Sequence, residues 1–333
     1  MHVEASAPGK MILFGEHSVV YGKPAVVLAI DRRANVYAEK RSDKKIFIDA
    51  DNLGFSGYFE DDTYYPVRGR AWRGRNLAAL NVATKKTMEY LGVEGGANLK
   101  VRSMIPIAVG LGSSAAICVA TVAAVERLYD ANLKKEEISN LAFEGETIIH
   151  GKPSGVDNNI STFAGVMSYD KENGIKRHKL EHDIPFIIGN SKKKRSTRKM
   201  VENVAALKER NPEEMSKILD SMGMIADSGL DALMKADIYR IGDLMNLNHG
   251  LLSSIGVSTM KLEILCHTSR NNGALGAKLT GAGGGGCMIA LAEEPDIPDI
   301  ERAIRRRKSE SYRVSLTDRG VESKWIEEED ADS

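Results

Sequence analysis

Cysteine is scarce in this chain. Its 333 residues hold three, Cys118, Cys266 and Cys287. None sits in a CxxC pair and the count is odd, so neither a disulfide framework nor a zinc cluster is implied. Net charge is missing as well: 46 Lys and Arg balance 46 Asp and Glu. A dedicated nucleic-acid binder would carry a broad basic excess, so no nucleic-acid partner is expected. No run approaches the ~20 apolar residues of a membrane span. The opening MHVEASAPGKMILFGEH lacks the basic segment and long apolar core of a secretory signal. The expectation is a soluble protein of a reducing cytoplasm with no membrane partner. The remaining composition, 42% hydrophobic and 28% charged, is ordinary for a globular protein. A chain of this length buries roughly 75% of its unfolded surface and suggests about two domains.

Glycine is in excess, with 31 residues that cluster. Short β-type runs fill the first fifty positions: Val3–Ala5, Met11–Phe14, Ala25–Ile30, Asn35–Ala38 and Ile46–Ile48. Residues 51–75 are polar and rich in Gly and Tyr, which predicts a loop. A helix is expected from Asn76 to Leu91, a strand over Asn98–Arg102, then a nearly all-apolar and therefore buried helix to about Tyr129, and another helix over Lys134–Ile149. Ile160–Tyr169 reads as a strand region with a turn at Phe163–Gly165. Composition turns polar over Glu172–Asp183, which places a domain boundary near residue 183. The second half reads as four helices, Thr197–Arg210, Pro212–Lys235, Ile238–Ser253 and Thr259–Asn271. Strands at Ala274–Leu279 and Cys287–Ala292 follow, then a helix near Asp299–Lys308 and strands near Tyr312–Leu316 and Val321–Ile326. The acidic tail EEEDADS is expected to fray.

Four segments carry candidate chemistry. PIAVGLGSSAA, Pro106 to Ala116, puts a glycine turn and two hydroxyls at a helix mouth. The first N–H groups of a helix lack internal partners and its dipole is positive there, so the segment is a ready phosphate cradle. It can also be a plain turn. GLGSSA satisfies the dinucleotide pattern G-x-G-x-x-A, but five β-type runs precede it where that fingerprint normally opens a domain. The GK[ST] phosphate loop fails, because each Gly-Lys pair is followed by Met11, Pro24 or Pro153. EGETIIHGKPSGVDNN carries Glu146 on a helix and Asp157 in the loop after it, turned by Lys152, Pro153 and Gly155. One carboxylate can bind a metal while the other handles a proton; a solvated helix-end Glu and a capping Asp are the structural alternatives. In LTGAGGGGC, Leu279 to Cys287, a backbone lying close to a ligand explains four consecutive glycines better than architecture does. In SAPGKMILFGEHSVVYG, Lys10 is either an edge-strand charge or a buried cation. Glu16-His17 follow a glycine turn, where a lone His is more often structural. The basic run Lys192–Arg195 reads as a solvated loop or a rim that attracts anions; a nucleic-acid contact is the third reading, against which the rest of the chain supplies no basic excess.

Together these segments, in this order from about Ala5 to Cys287, resemble the GHMP kinases, and within them the branch that phosphorylates mevalonate. The resemblance implies an α+β chain of two domains, residues 1–183 with a ribosomal-protein-like fold and residues 184–333 with a ferredoxin-like fold. It implies that Asp157 takes the proton from the C5 hydroxyl of mevalonate, with Lys10 beside it to hold it ionised and stabilise developing charge. Ser114 and Glu146 would ligate Mg²⁺ on the β- and γ-phosphates of ATP. Pro106, Gly110, Leu111, Gly112, Ser113, Ser114 and Ala115 would form the triphosphate loop. Glu16 and His17 would line the mevalonate pocket, Ser196 and Thr197 would face the active site, and Gly281 and Ala282 would open a glycine run that closes near the substrate. A homodimer is expected. Rival readings are a kinase of the same kind acting on a sugar, an amino-acid alcohol or phosphomevalonate, and a nucleotide-binding regulator without catalysis. The regulator should have lost Lys10, Glu146 or Asp157, and all three remain.

Overall fold

A computed structural model describes residues 2–50, 54–60, 62–69, 74–106, 109–150, 154–179, 182–193 and 196–327. Lys152, Pro153, Lys194, Arg195 and most of the acidic tail lie outside the described residues. The first strand, β1 (His2–Phe14), is a single element where the sequence suggests two. Its register shifts between Pro8 and Gly9, so a bulge absorbs the proline that a regular ladder would reject. β2 (Ala25–Arg41) is likewise one long strand and pairs antiparallel with β1. Around them lie β3 (Ile46–Ala50), β4 (Phe55–Glu60), β5 (Thr63–Arg68), β6 (Gly96–Ser103), β7 (Val166–Asp170), β8 (Gly174–His178) and the last strand, β13 (Glu322–Ile326). They form one sheet in the order β13-β1-β2-β6-β3-β4-β5, with β7 and β8 branching from β2. Helices α1 (Arg75–Leu91), α2 (Ser113–Leu128) and α3 (Lys135–His150) complete this layer. As its composition predicts, α2 is buried almost all round.

β4 and β5 replace the loop expected over 51–75. They are a hairpin at the sheet's end, held by ring pairs rather than an apolar run: Tyr58 stacks on Tyr65 and Phe59 meets Tyr64, each at 5.1 Å between centroids. Pro66 is tolerated because β5 is an edge strand.

A second sheet, wholly antiparallel, has the order β10-β11-β9-β12, from β9 (Phe186–Asn190), β10 (Gly276–Leu279), β11 (Cys287–Leu291) and β12 (Glu310–Val314). The sequence reading missed β8, which falls in the polar stretch, and β9, a buried five-residue strand just after it. α5 (Thr197–Arg210), α6 (Pro212–Met234), α7 (Ile238–Ser254), α8 (Met260–Arg270) and α9 (Ile297–Arg306) follow the expected helical periods closely. The chain thus changes sheets between β8 and β9, and β13 returns to pair with β1. Among the described residues no helix is long and apolar enough to cross a membrane.

Candidate active site

The phosphate loop is fastened directly to β1. The Lys10 N–H donates to the Leu111 carbonyl at 2.9 Å, which brings the loop under the lysine. Gly112 then has to be glycine on two counts. Its φ is +73°, and a Cβ there would lie 2.7 Å from Lys10 Cγ. α2 starts at the next residue, without a side-chain cap, so its first N–H groups remain open to a ligand. The hydroxyls of Ser113 and Ser114 are buried and have no hydrogen-bond partner among the described residues. A buried hydroxyl is rarely left so unless something absent completes it. Pro106 and Gly110 are half-buried and Leu111 and Ala115 buried; Ile107 and Ala108 lie outside the described residues.

Asp157 sits not in a loop but in the first turn of a short helix, α4 (Val156–Phe163), whose N-cap is Gly155 at φ +77°. Asn pairs and β-branched residues are weak helix formers, and eight residues give little periodicity, so the sequence hides this helix. The Lys10 Nζ lies 3.0 Å from Asp157 Oδ1, with Lys10 buried and the Asp157 side chain 39% exposed. A buried cation therefore meets a carboxylate that still reaches solvent. Glu146, on α3, is 2% exposed. Burial pushes its carboxyl up to about 8, the Asp157 charge pushes the same way, and Lys10 pulls back. The solvated-carboxylate alternative for Glu146 is thereby removed.

Among the described residues, no three His, Cys, Asp or Glu side chains gather into a protein-only metal cage. Mg²⁺ needs none; it commonly uses one or two carboxylates together with substrate phosphates. A desolvated carboxyl with a raised pKa and two unsatisfied hydroxyls fit such an ion delivered with a nucleotide.

The residues after β1 do something different. The buried Glu16 carboxylate forms an ion pair with Lys278 of β10 through Oε1, and its Oε2 has no hydrogen-bond partner among the described residues. His17 donates from Nε2 to the Ala282 carbonyl at 2.9 Å; a carbonyl only accepts, so Nε2 carries the proton. Thr280 donates to the Ile12 carbonyl at 2.9 Å and accepts the Ile12 N–H at 3.2 Å. Glu16, His17, Gly281 and Ala282 are thus brought together as one seam between the sheets. The glycine run also has a packing role. A Cβ at Gly283 would lie 2.1 Å from the Val257 carbonyl oxygen, at Gly284 2.7 Å from Met200 Sδ, and at Gly285 2.7 Å from the Lys193 oxygen. Close packing on backbone oxygens already demands Gly283 and Gly285, and Gly284 is required by its φ of +71°. Ser196 and Thr197 are exposed; the Ser196 hydroxyl caps α5 by accepting the Lys199 N–H at 3.3 Å. Their segment reaches the glycine loop through Met200 and through Lys193, whose carbonyl accepts the Gly286 N–H at 2.9 Å. Lys278 and Thr280 were missed by the sequence reading. The available signal was a lysine between Ala277 and Leu279 in an apolar run, the same oddity that marks Lys10.

Residues 77–165 match the GHMP kinases N terminal domain and residues 230–310 the GHMP kinases C terminal domain. The mevalonate kinase of Thermococcus onnurineus is 42% identical, over 96% of this chain and 98% of that protein. The mevalonate kinase of Aeropyrum pernix is 35% identical, over 95% and 97%. This chain belongs to the mevalonate kinase family of GHMP kinases. The crystal structure of the Methanococcus jannaschii mevalonate kinase superposes with a TM-score of 0.83 at 30% identity, covering 95% of this chain and 99% of that one. The L. major mevalonate kinase in complex with R-mevalonate gives 0.81 at 29%, covering 94% and 95%. The two-domain α+β architecture of the family is therefore this chain's fold.

Proposed function

We propose that this chain transfers the γ-phosphoryl group of ATP to the C5 hydroxyl of (R)-mevalonate, giving ADP and 5-phosphomevalonate, an early step of isoprenoid biosynthesis by the mevalonate pathway. The observation that carries the site assignment is the 3.0 Å contact of Lys10 with Asp157, beside a helix mouth whose serine hydroxyls lack partners. Asp157 accepts the C5 hydroxyl proton, the alkoxide-like oxygen forms its bond to the γ-phosphorus, and the bond to the β–γ bridging oxygen breaks. Phosphoryl transfer asks mainly for alignment and charge compensation. The N–H groups of Gly110 to Ser113 and the dipole of α2 hold the triphosphate, and Lys10 places a positive charge where negative charge moves. Ser114 and Glu146 would hold a Mg²⁺ ion, which when bound supplies screening of the β- and γ-phosphates. Glu16 and His17 set the acceptor end, with Gly281 and Ala282 against them, and Ser196 and Thr197 form the rim.

The division into domains at about residue 183 belongs to the same proposal and is supported by the change of sheet between β8 and β9. So does a cytoplasmic homodimer. All three cysteines are free and buried, as a reducing compartment allows, and sedimentation of the purified chain tests the stoichiometry. The activity itself is tested with Mg²⁺-ATP against mevalonate, phosphomevalonate, homoserine and galactose. Mevalonate should exceed the others in kcat/KM by at least roughly 10²-fold; comparable turnover of any other acceptor overturns the assignment.

A further inference from the structure

We infer that Lys278 is a positioning residue: its fully buried ammonium anchors Glu16 and thereby fixes His17 and Ala282 as one rigid wall at the acceptor end of the site. The inference rests on the proposed mevalonate phosphorylation. Lys278 has no solvent-exposed surface and Glu16 is 2% exposed. Ala277 and Leu279 turn to the opposite face of β10, where both join the core of the second sheet. Lys278 therefore points toward β1, where its Nζ donates to Glu16 and to the Leu279 carbonyl at 2.9 Å.

Such a pair is a poor device for stability alone. Two charges removed from water lose hydration that their attraction barely restores, and apolar residues of the same volume often serve as well. What it adds is direction. Glu16 is gripped by Lys278, and its neighbour His17 donates to the Ala282 carbonyl. His17 holds φ at +62°, a conformation a non-glycine residue keeps only when its surroundings enforce it. The enforcing contacts come from residues 278 to 282, and the chain beyond them runs into the glycine loop. Removing the ammonium strands a buried carboxylate, which must protonate or move, and either event loosens the turn that presents His17.

Lys278→Met tests this in steady-state kinetics with both substrates varied. The expected result is a KM for mevalonate raised about tenfold or more, with the KM for ATP changed less than twofold, because the phosphate loop is fastened separately through Leu111. Unchanged KM values in folded protein, or equal rises in both, overturn the inference and leave Lys278 a structural partner. If Lys278→Met does not fold, the double variant Glu16→Gln/Lys278→Met removes the stranded charge and is read against the same two outcomes. Failure of the proposed function would appear separately, as absence of mevalonate turnover by the unmutated chain.

Discussion

Two clusters of buried charge lie six residues apart along the chain, one around Lys10 and one around Glu16, and they are finished to different degrees. Around Glu16 the protein supplies more of the partners: Lys278 for one carboxylate oxygen, the Ala282 carbonyl for His17, Thr280 for the backbone of Ile12, while Glu16 Oε2 and the Ser18 hydroxyl have no hydrogen-bond partner among the described residues. Around Lys10 the protein stops short. The hydroxyls of Ser113 and Ser114 lack partners, Glu146 is desolvated with its carboxyl pushed up to about 8, and Asp157 still opens to solvent. Protein interiors satisfy their polar groups, so a cluster left incomplete beside a helix mouth is one that a ligand completes. The Glu16 cluster is tied mainly to the second sheet, with one carboxylate oxygen left over on the acceptor side.

The comparison breaks most visibly at Asp157. Asp157→Asn keeps the size and polarity of the side chain but removes the base, and should lower kcat by roughly 10²–10⁴-fold while ATP still binds. Steady-state rates with an ATP-binding measurement check this, and near-normal turnover would remove Asp157 from the role. At the finished cluster the largest effect should fall on the fold. Lys278→Met strands Glu16 and should lower unfolding stability by about 3–5 kcal/mol, most of which Glu16→Gln/Lys278→Met should restore. Denaturant midpoints of the two variants decide it. A single variant as stable as the double would mean Glu16 had found another partner. Ser114→Ala sharpens the contrast more mildly. One lost polar ligand is worth ~1 kcal/mol, so the Mg²⁺ concentration for half-maximal rate should rise roughly fivefold, and an unchanged titration would exclude Ser114 from the metal.

The unfinished cluster was largely legible in the sequence and the finished one was not, for a physical reason. A phosphate cradle is built locally, from consecutive glycines and serines at a helix start, so PIAVGLGSSAA displays it whole. Lys10 and Asp157 are far apart in sequence, and only resemblance to a known motif pairs them. The Lys278–Glu16 pair has no local signature, since each residue looks like an isolated charge until the two sheets meet. The fold divides similarly. The long helices of the second half follow their 3.6-residue period closely, whereas β4 buries only Phe55 and Phe59 within a polar stretch, β5 is almost wholly exposed, and α4 is too short and too rich in polar residues to show a period. The glycine run has a second role that its sequence does not show. Its spacing looks like ligand approach, yet Val257, Met200 and Lys193 already occupy the space beside three of its members.

The smallest effect concerns a single proton. The Glu146 carboxyl titrates at about 8 in the folded chain, against an ordinary value of 4.5. The folded state therefore holds a proton that the unfolded state has released, and ionising the group works against the fold. Stability of the ligand-free chain should fall as pH rises from about 4.5 through 8, and Glu146→Gln should flatten that slope. A metal ligand must be deprotonated, so binding of Mg²⁺ with nucleotide at pH 7 should expel close to one proton. Calorimetric titration in buffers of different ionisation enthalpy measures that release directly, without any turnover. Glu146→Gln should abolish it, while Lys278→Met, which alters only the Glu16 cluster, should leave it intact. A release that survived in Glu146→Gln would show that the proton comes from elsewhere, and Glu146 would then have to be explained, like Glu16, as part of the scaffold.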